Sequence, residues 1–110
     1  MESRRIVAWG RMSRCPALFA ATPFLLDMQS DLLDSLESRV VIPLRDLAAF
    51  PQVALSERLT PALSVDGRAL MLETPKMAAV PRRVLSAPVA SLAAERERIT
   101  AAVEFLFQGF

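Results

Sequence analysis

The residue types that most often carry catalytic chemistry are nearly absent from this chain. Its 110 residues contain no histidine and no tyrosine, and Cys15 is its one cysteine. The lack of histidine excludes a Ser-His-Asp triad, a histidine metal site and a histidine general base. One cysteine cannot form an intramolecular disulfide. Because Cys15 lies in an apolar run, we predict a buried structural thiol and not a nucleophile.

Arginine is the remaining candidate for recognition of charged ligands. The chain has 13 basic and 12 acidic residues, which gives a net charge of +1. Proteins that bind nucleic acid through the phosphate backbone usually carry a strong basic excess, so this balance argues against that class. A cluster near the start is either a solvated segment or a binding element. Its members are Arg4, Arg5, Arg11 and Arg14.

The apolar composition predicts a surface that contacts a partner. Hydrophobic residues make up 53% of the chain, and its mean hydropathy is +0.33. We expect one domain over residues 1–110. A domain of this size has too little interior to hide so many apolar side chains, and a homodimer is the commonest way to cover the remainder.

One apolar run, Cys15–Leu26, raises the question of a membrane segment. The run is too short to span a bilayer, and Pro16 and Pro23 interrupt it. A signal-peptide cleavage site needs small residues. The small residues of this run are followed directly by Pro23, which argues against a signal peptide. We therefore expect a cytoplasmic protein.

Short β-strands are the elements that must position any site. The segments Arg5–Trp9, Phe24–Ser30 and Arg39–Leu44 have the apolar and β-branched content of strands. Since Pro43 cannot donate to a sheet hydrogen bond, we expect the third segment to be an edge strand or to bend there. Asp66-Gly67 favours a two-residue hairpin turn between ALSV and RALMLE.

The periodicity changes near the end of the chain and predicts a helix over about 92–107. Ser91 is a suitable N-cap, and Gly109 stands where a glycine often ends a helix. The spacing of the apolar residues places them on one helical stripe. These residues are Leu92, Ile99, Val103 and Leu106.

Several blocks of the sequence together resemble the CcdB family of gyrase poisons. The block Gln29–Asp34 (QSDLLD) follows an apolar strand, and Arg39–Leu44 (RVVIPL) follows it. After the hairpin come Met77–Pro81 (MAAVP) and a terminal helix that ends in Leu106–Phe110 (LFQGF). The order and spacing of these blocks fit the family from Phe24 to Phe110.

The resemblance implies a fold, two partners and an absence of catalysis. The implied fold is mainly β, an SH3-like barrel with one C-terminal helix. The implied protein is a homodimeric cytoplasmic toxin that needs no cofactor. It grips the DNA gyrase A subunit while gyrase holds a DNA break open, and a small antitoxin with a disordered tail neutralises it.

The resemblance also implies which residues face gyrase. They are the apolar pair after the QSD block and the end of the terminal helix with the last residues. Carried onto this sequence, they are Leu32, Leu33, Glu104, Phe107, Gln108, Gly109 and Phe110. The best-known family pattern ends in Trp-Gly-Ile, so Gln108 stands where that pattern has tryptophan, and Glu104 stands where a neutral amide is common.

Two alternatives remain open from the sequence. Because glutamine offers no flat aromatic face, Gln108 fits a non-toxic relative that binds only its antitoxin. A ribonuclease on a related fold would need a general acid and base beside a basic groove. The arginines that could line such a groove are Arg39, Arg45, Arg82 and Arg83.

Overall fold

The computed structural model of the chain describes residues 5–8, 23–28, 37–48, 56–65 and 67–109. Within these ranges seven strands form one antiparallel sheet, followed by one α-helix. No helix in the described ranges is long and apolar enough to cross a bilayer. The elements are β1 (Arg5–Ala8), β2 (Phe24–Asp27), β3 (Ser38–Asp46), β4 (Ala62–Val65), β5 (Arg68–Leu72), β6 (Ala78–Pro81), β7 (Ala90–Ser91) and α1 (Arg96–Gln108).

The sheet curls into a nearly closed barrel around β3. The strand order is β4-β5-β3-β2-β1-β7, and β6 pairs with β3 outside that path. On one edge β3 pairs with β2, and on the other edge it pairs first with β6 and then with β5. This arrangement confirms the mainly β, barrel-like fold with one C-terminal helix.

The expectation that Pro43 marks an edge strand is wrong, because β3 has neighbours on both edges. The carbonyl of Pro43 accepts the backbone N–H of Glu73 at 2.9 Å, so the backbone of Pro43 points away from β2. Its missing N–H therefore faces the gap between the β6 pairing, which ends at Val41, and the β5 pairing, which begins at Leu44. A central strand tolerates proline here because no ladder hydrogen bond is lost.

Alternate residues of β1, β2 and β3 point to opposite faces of the sheet. Ile6, Leu26 and Ile42 face the main core, which the hairpin and α1 complete. Val7, Leu25 and Val41 point the other way and form a second, smaller cluster with half-buried Val80 and Leu85. Because successive side chains of a strand point to opposite faces, these strands contribute to two separate buried clusters.

The hairpin is confirmed, and the second strand is shorter than expected. Val65 pairs with Arg68, and Gly67 has a φ of 81°, a conformation that glycine adopts without strain. The second strand ends at Asp27, although Met28 still donates its N–H to the carbonyl of Val40 at 2.9 Å. The predicted continuation through Gln29 and Ser30 lies outside the described residues, as does Trp9 at the end of the first strand.

The C-terminal helix begins later than expected, because a 3₁₀ turn over Ala93–Glu95 precedes it. Ser91 is not the N-cap of α1: its Oγ accepts the N–H of Ala93 at 3.2 Å, and Glu95, the residue before α1, makes no side-chain capping hydrogen bond. The predicted stripe is confirmed within the helix for Ile99 and Val103, whereas Leu92 lies before α1 and Leu106 is half-buried. Leu92 and Ile99 are buried in the main core, and Val103 packs against it.

We expect Ile99→Ala to lower the free energy of unfolding by about 2–5 kcal/mol, because Ile99 is fully buried and truncation leaves a cavity. Chemical denaturation followed by circular dichroism measures the change. The matched control is Glu97→Ala on the exposed side of the same helix, which we expect to stay within about 0.5 kcal/mol. Equal effects of the two substitutions would contradict the described packing of α1.

We expect Gly67→Ala to lower the free energy of unfolding by about 1 kcal/mol, because alanine is strained at positive φ. A Cβ at this position meets no atom within 4 Å, so the loss is conformational and not steric. Thermal and chemical denaturation measure it, with Ser64→Ala as a control at an exposed site of the same hairpin. Unchanged or increased stability in the glycine variant would show that the turn adopts another conformation.

Candidate functional site

The end of α1 is held by its packing and by a glycine. Gly109 has a φ of 79° and donates its N–H to the carbonyl of Phe105 at 2.8 Å, which ends the helix. No atom lies within 4 Å of a Cβ built at this position, so the backbone conformation and not the available space favours glycine. The predicted role of Gly109 as a helix stop is therefore confirmed.

The last turns of α1 carry the exposed residues that the family resemblance selected. Glu104, Phe107 and Gln108 are separated by three and four positions and lie on one face. That face points away from Ile99 and Ala102, which are buried in the main core. Phe107 is 73% exposed, and Glu104, Gln108 and Gly109 are also exposed. The structure thus brings four of the predicted residues together at one end of the helix.

The remaining predicted residues, Leu32, Leu33 and Phe110, lie outside the described residues. Within the described ranges, the other large hydrophobic side chain with high exposure is Val89, at 56%. Val89 lies before β7, where its N–H donates to the carbonyl of Ile6 at 2.8 Å. An exposed aromatic side chain at a helix end is the kind of group that anchors a protein–protein contact.

Two arginines connect the helix to the segment before the hairpin, and the sequence reasoning missed both contacts. The guanidinium carbon of Arg58 lies 4.5 Å from the centroid of the Phe105 ring. Arg98 contacts Glu57 at 3.0 Å, Glu95 at 2.6 Å and the carbonyl of Ala62 at 3.1 Å. Arg98 and Glu57 are 41 positions apart, and no local pattern indicates such a contact.

A buried ion-pair cluster lies on the sheet face opposite α1. One carboxylate oxygen of Asp27 accepts hydrogen bonds from Nη2 and Nε of Arg39, at 2.7 and 3.1 Å, and from Nη2 of Arg5 at 3.3 Å. Asp27 is 4% exposed and Arg39 is 2% exposed. Removing one member of such a buried pair typically costs about 3–5 kcal/mol, because the other charge is left without compensation.

The four arginines considered for a ribonuclease do not share one groove. Arg39 and Arg82 line the same surface cavity, of about 320 Å³, together with Asp27 and Arg5. Arg83 lies outside that cavity and lines a neighbouring one with Glu37 and Arg82. Arg45 contacts Glu73 at 3.3 Å. The described residues contain no group of three acidic or thiol side chains that could hold a metal ion.

Comparison with known proteins identifies the family of the chain. A family model described as CcdB protein matches residues 14–109. No curated protein matches the chain. The resemblance noted from the sequence began at Phe24, and the family match begins earlier than that. The match includes every described residue from β2 to Gly109. The chain therefore belongs to the CcdB family, whose members are toxins of toxin–antitoxin pairs.

Proposed function

We propose that this toxin binds the DNA gyrase A subunit and traps the complex in which gyrase has cleaved DNA. The observation that carries the proposal is the exposed face of Glu104, Phe107 and Gln108 at the end of α1 in a chain of the CcdB family. The toxin acts by binding and not by catalysis. A cognate antitoxin neutralises it.

The helix end is suited to a wedge between two copies of a target. Phe107 presents most of its ring to solvent, while the buried residues Ile99 and Ala102 hold the helix against the barrel. An aromatic anchor on a preorganised element loses little conformational entropy when it binds. In a homodimer, twofold symmetry brings two such ends together, and a symmetric knob of this kind fits two symmetric gyrase A subunits.

The proposal is tested by inducing the gene without an antitoxin in two isogenic bacterial hosts, one with normal gyrase A and one with toxin-resistant gyrase A. We expect growth arrest with trapped gyrase–DNA breaks in the first host and normal growth in the second. Normal growth of both hosts at confirmed expression would contradict gyrase poisoning. That result would favour the relative that binds only an antitoxin, the alternative that Gln108 supports.

We expect Phe107→Ala to weaken gyrase A binding by roughly 2 kcal/mol or more, about thirtyfold, because an exposed aromatic anchor is lost. Surface plasmon resonance with immobilised gyrase A measures the change. Val89→Ala is the matched control, since it removes an exposed apolar side chain elsewhere and leaves affinity unchanged. Both variants keep the thermal stability of the parent protein because neither side chain is buried. Full affinity of the phenylalanine variant would remove the helix end from the proposed interface.

We expect Gln108→Trp to strengthen gyrase A binding by about tenfold, because a tryptophan there adds a flat apolar ring beside Phe107. Gln108 is exposed, so the larger side chain meets no packing constraint within the monomer. The same binding assay measures the gain, and Gln108→Ala serves as the control with little expected change. A loss of affinity in the tryptophan variant would show that the target site is shaped for a smaller or polar residue.

A further inference from the structure

A groove lies between α1 and residues 56–61, the pre-hairpin segment, beside the helix end proposed to bind gyrase. Its volume is about 260 Å³. Ala101 of α1 lines the groove and is three positions before Glu104, so the groove adjoins the exposed face that contains Glu104. The residues that line the groove are Glu57, Arg58, Pro61, Arg98 and Ala101.

The pre-hairpin segment is held by hydrogen bonds within its own turn and to the sheet. The carbonyl of Ser56 accepts the N–H of Thr60 at 2.7 Å, and Thr60 is buried. The Oγ of Ser56 accepts the N–H of Arg58 at 3.2 Å. Pro61 is buried too, and its carbonyl accepts the N–H of Leu72 in β5 at 3.0 Å. These bonds place the backbone of Arg58 at the edge of the groove.

The side chain of Arg58 is covered on one side by an aromatic ring. Its guanidinium carbon lies 4.5 Å from the centroid of the Phe105 ring. Glu57, the acidic residue that lines the groove, contacts Arg98 at 3.0 Å. Within the described ranges the guanidinium group of Arg58 has no ion-pair partner, and Arg58 is exposed. Its N–H groups can therefore donate to an acceptor on another molecule.

We propose that Arg58 is a specificity-determining contact of this toxin, which donates hydrogen bonds to a carboxylate side chain of gyrase A at the groove. This inference rests on the proposed function. Arginine is enriched among the residues that dominate binding at protein interfaces, and its guanidinium group can donate two parallel hydrogen bonds to one carboxylate. Stacking on Phe105 reduces the side-chain entropy that Arg58 loses on binding.

The position of Arg58 complements the residues at the helix end. Phe105 is three positions before Gln108, so the ring that contacts Arg58 and the Gln108 side chain are neighbours along α1. Gln108 offers no flat face, whereas the guanidinium group on Phe105 is planar. Phe107 in an apolar pocket and Arg58 on a carboxylate are two contacts of different chemistry. Charged contacts of the second kind exclude wrong partners more than they raise affinity.

The proposal is tested by surface plasmon resonance of Arg58→Ala on immobilised gyrase A at low and at high salt concentration. We expect about tenfold weaker binding than that of the parent chain at low salt, because a charged hydrogen bond is lost. We expect a smaller difference at high salt, because ions screen an exposed pair. Arg58→Lys restores part of the affinity, since lysine keeps the charge but not the planar donor group. Arg83→Ala is the matched control, because this exposed arginine lines a different cavity.

A double-mutant cycle with Phe105→Leu tests whether the ring positions Arg58. This substitution keeps an apolar side chain and removes the aromatic face. We expect it to weaken gyrase A binding in the parent chain and to have little further effect in the Arg58→Ala chain, because residues in contact are not additive. Thermal unfolding of every variant shows whether the fold is retained.

The outcomes distinguish this inference from the proposed function. A parent chain that does not bind gyrase A would contradict the proposed function and this inference with it. A parent chain that binds, with Arg58→Ala unchanged, would overturn this inference alone. Equal losses in Arg58→Ala and Arg83→Ala would also overturn it, since net charge would then explain the effect. A loss that does not depend on salt and comes with a lower melting temperature would give Arg58 a structural role instead.

Discussion

Successive side chains of β1, β2 and β3 point to opposite faces of the sheet, and the pairing register of these strands decides which residues each face receives. Their register sends Ile6, Leu26 and Ile42 to the main core and sends Asp27 and Arg39 to the opposite face. A slip of one residue in any of these strands would exchange the faces. The apolar core and the buried ion pair would then both be lost, so they fix the same register.

The position of α1 follows from the first of these faces. Ile99 and Ala102 insert into the main core, and this determines which side of the helix meets solvent. Glu104, Phe107 and Gln108 remain outside because they lie on the opposite side. Exposed ion pairs such as Arg98–Glu57 add little free energy. The helix end therefore owes its orientation mainly to burial.

The second face shows how a small barrel carries two unlike surfaces. The small apolar cluster of Val7, Leu25 and Val41 lies on the same sheet face as the Arg39–Asp27 pair, whose charged side chains line the surface cavity.

The sequence by itself determined the elements whose signals are local. Apolar and β-branched content identified β1, β2 and β3, Asp66-Gly67 identified the hairpin, and the stripe through Ile99 and Val103 identified the helix. The ordered blocks from Phe24 onward also determined the family, and with it the exposed residues at the helix end. The start of α1 was placed too early, because a 3₁₀ turn over Ala93–Glu95 precedes the helix and Ser91 accepts the N–H of Ala93 at the start of that turn.

The tertiary structure alone decided how strands pair and which charges meet. Pro43 indicated an edge strand or a bend, but the switch from β6 to β5 beside it makes a central position compatible with its missing N–H. Arg39 and Arg82 were recognised as charged residues, whereas their meeting with Arg5 and Asp27 depends on strand order and register. Strand order and register depend on the burial of side chains over the whole sheet. They therefore cannot be predicted from a short stretch of sequence.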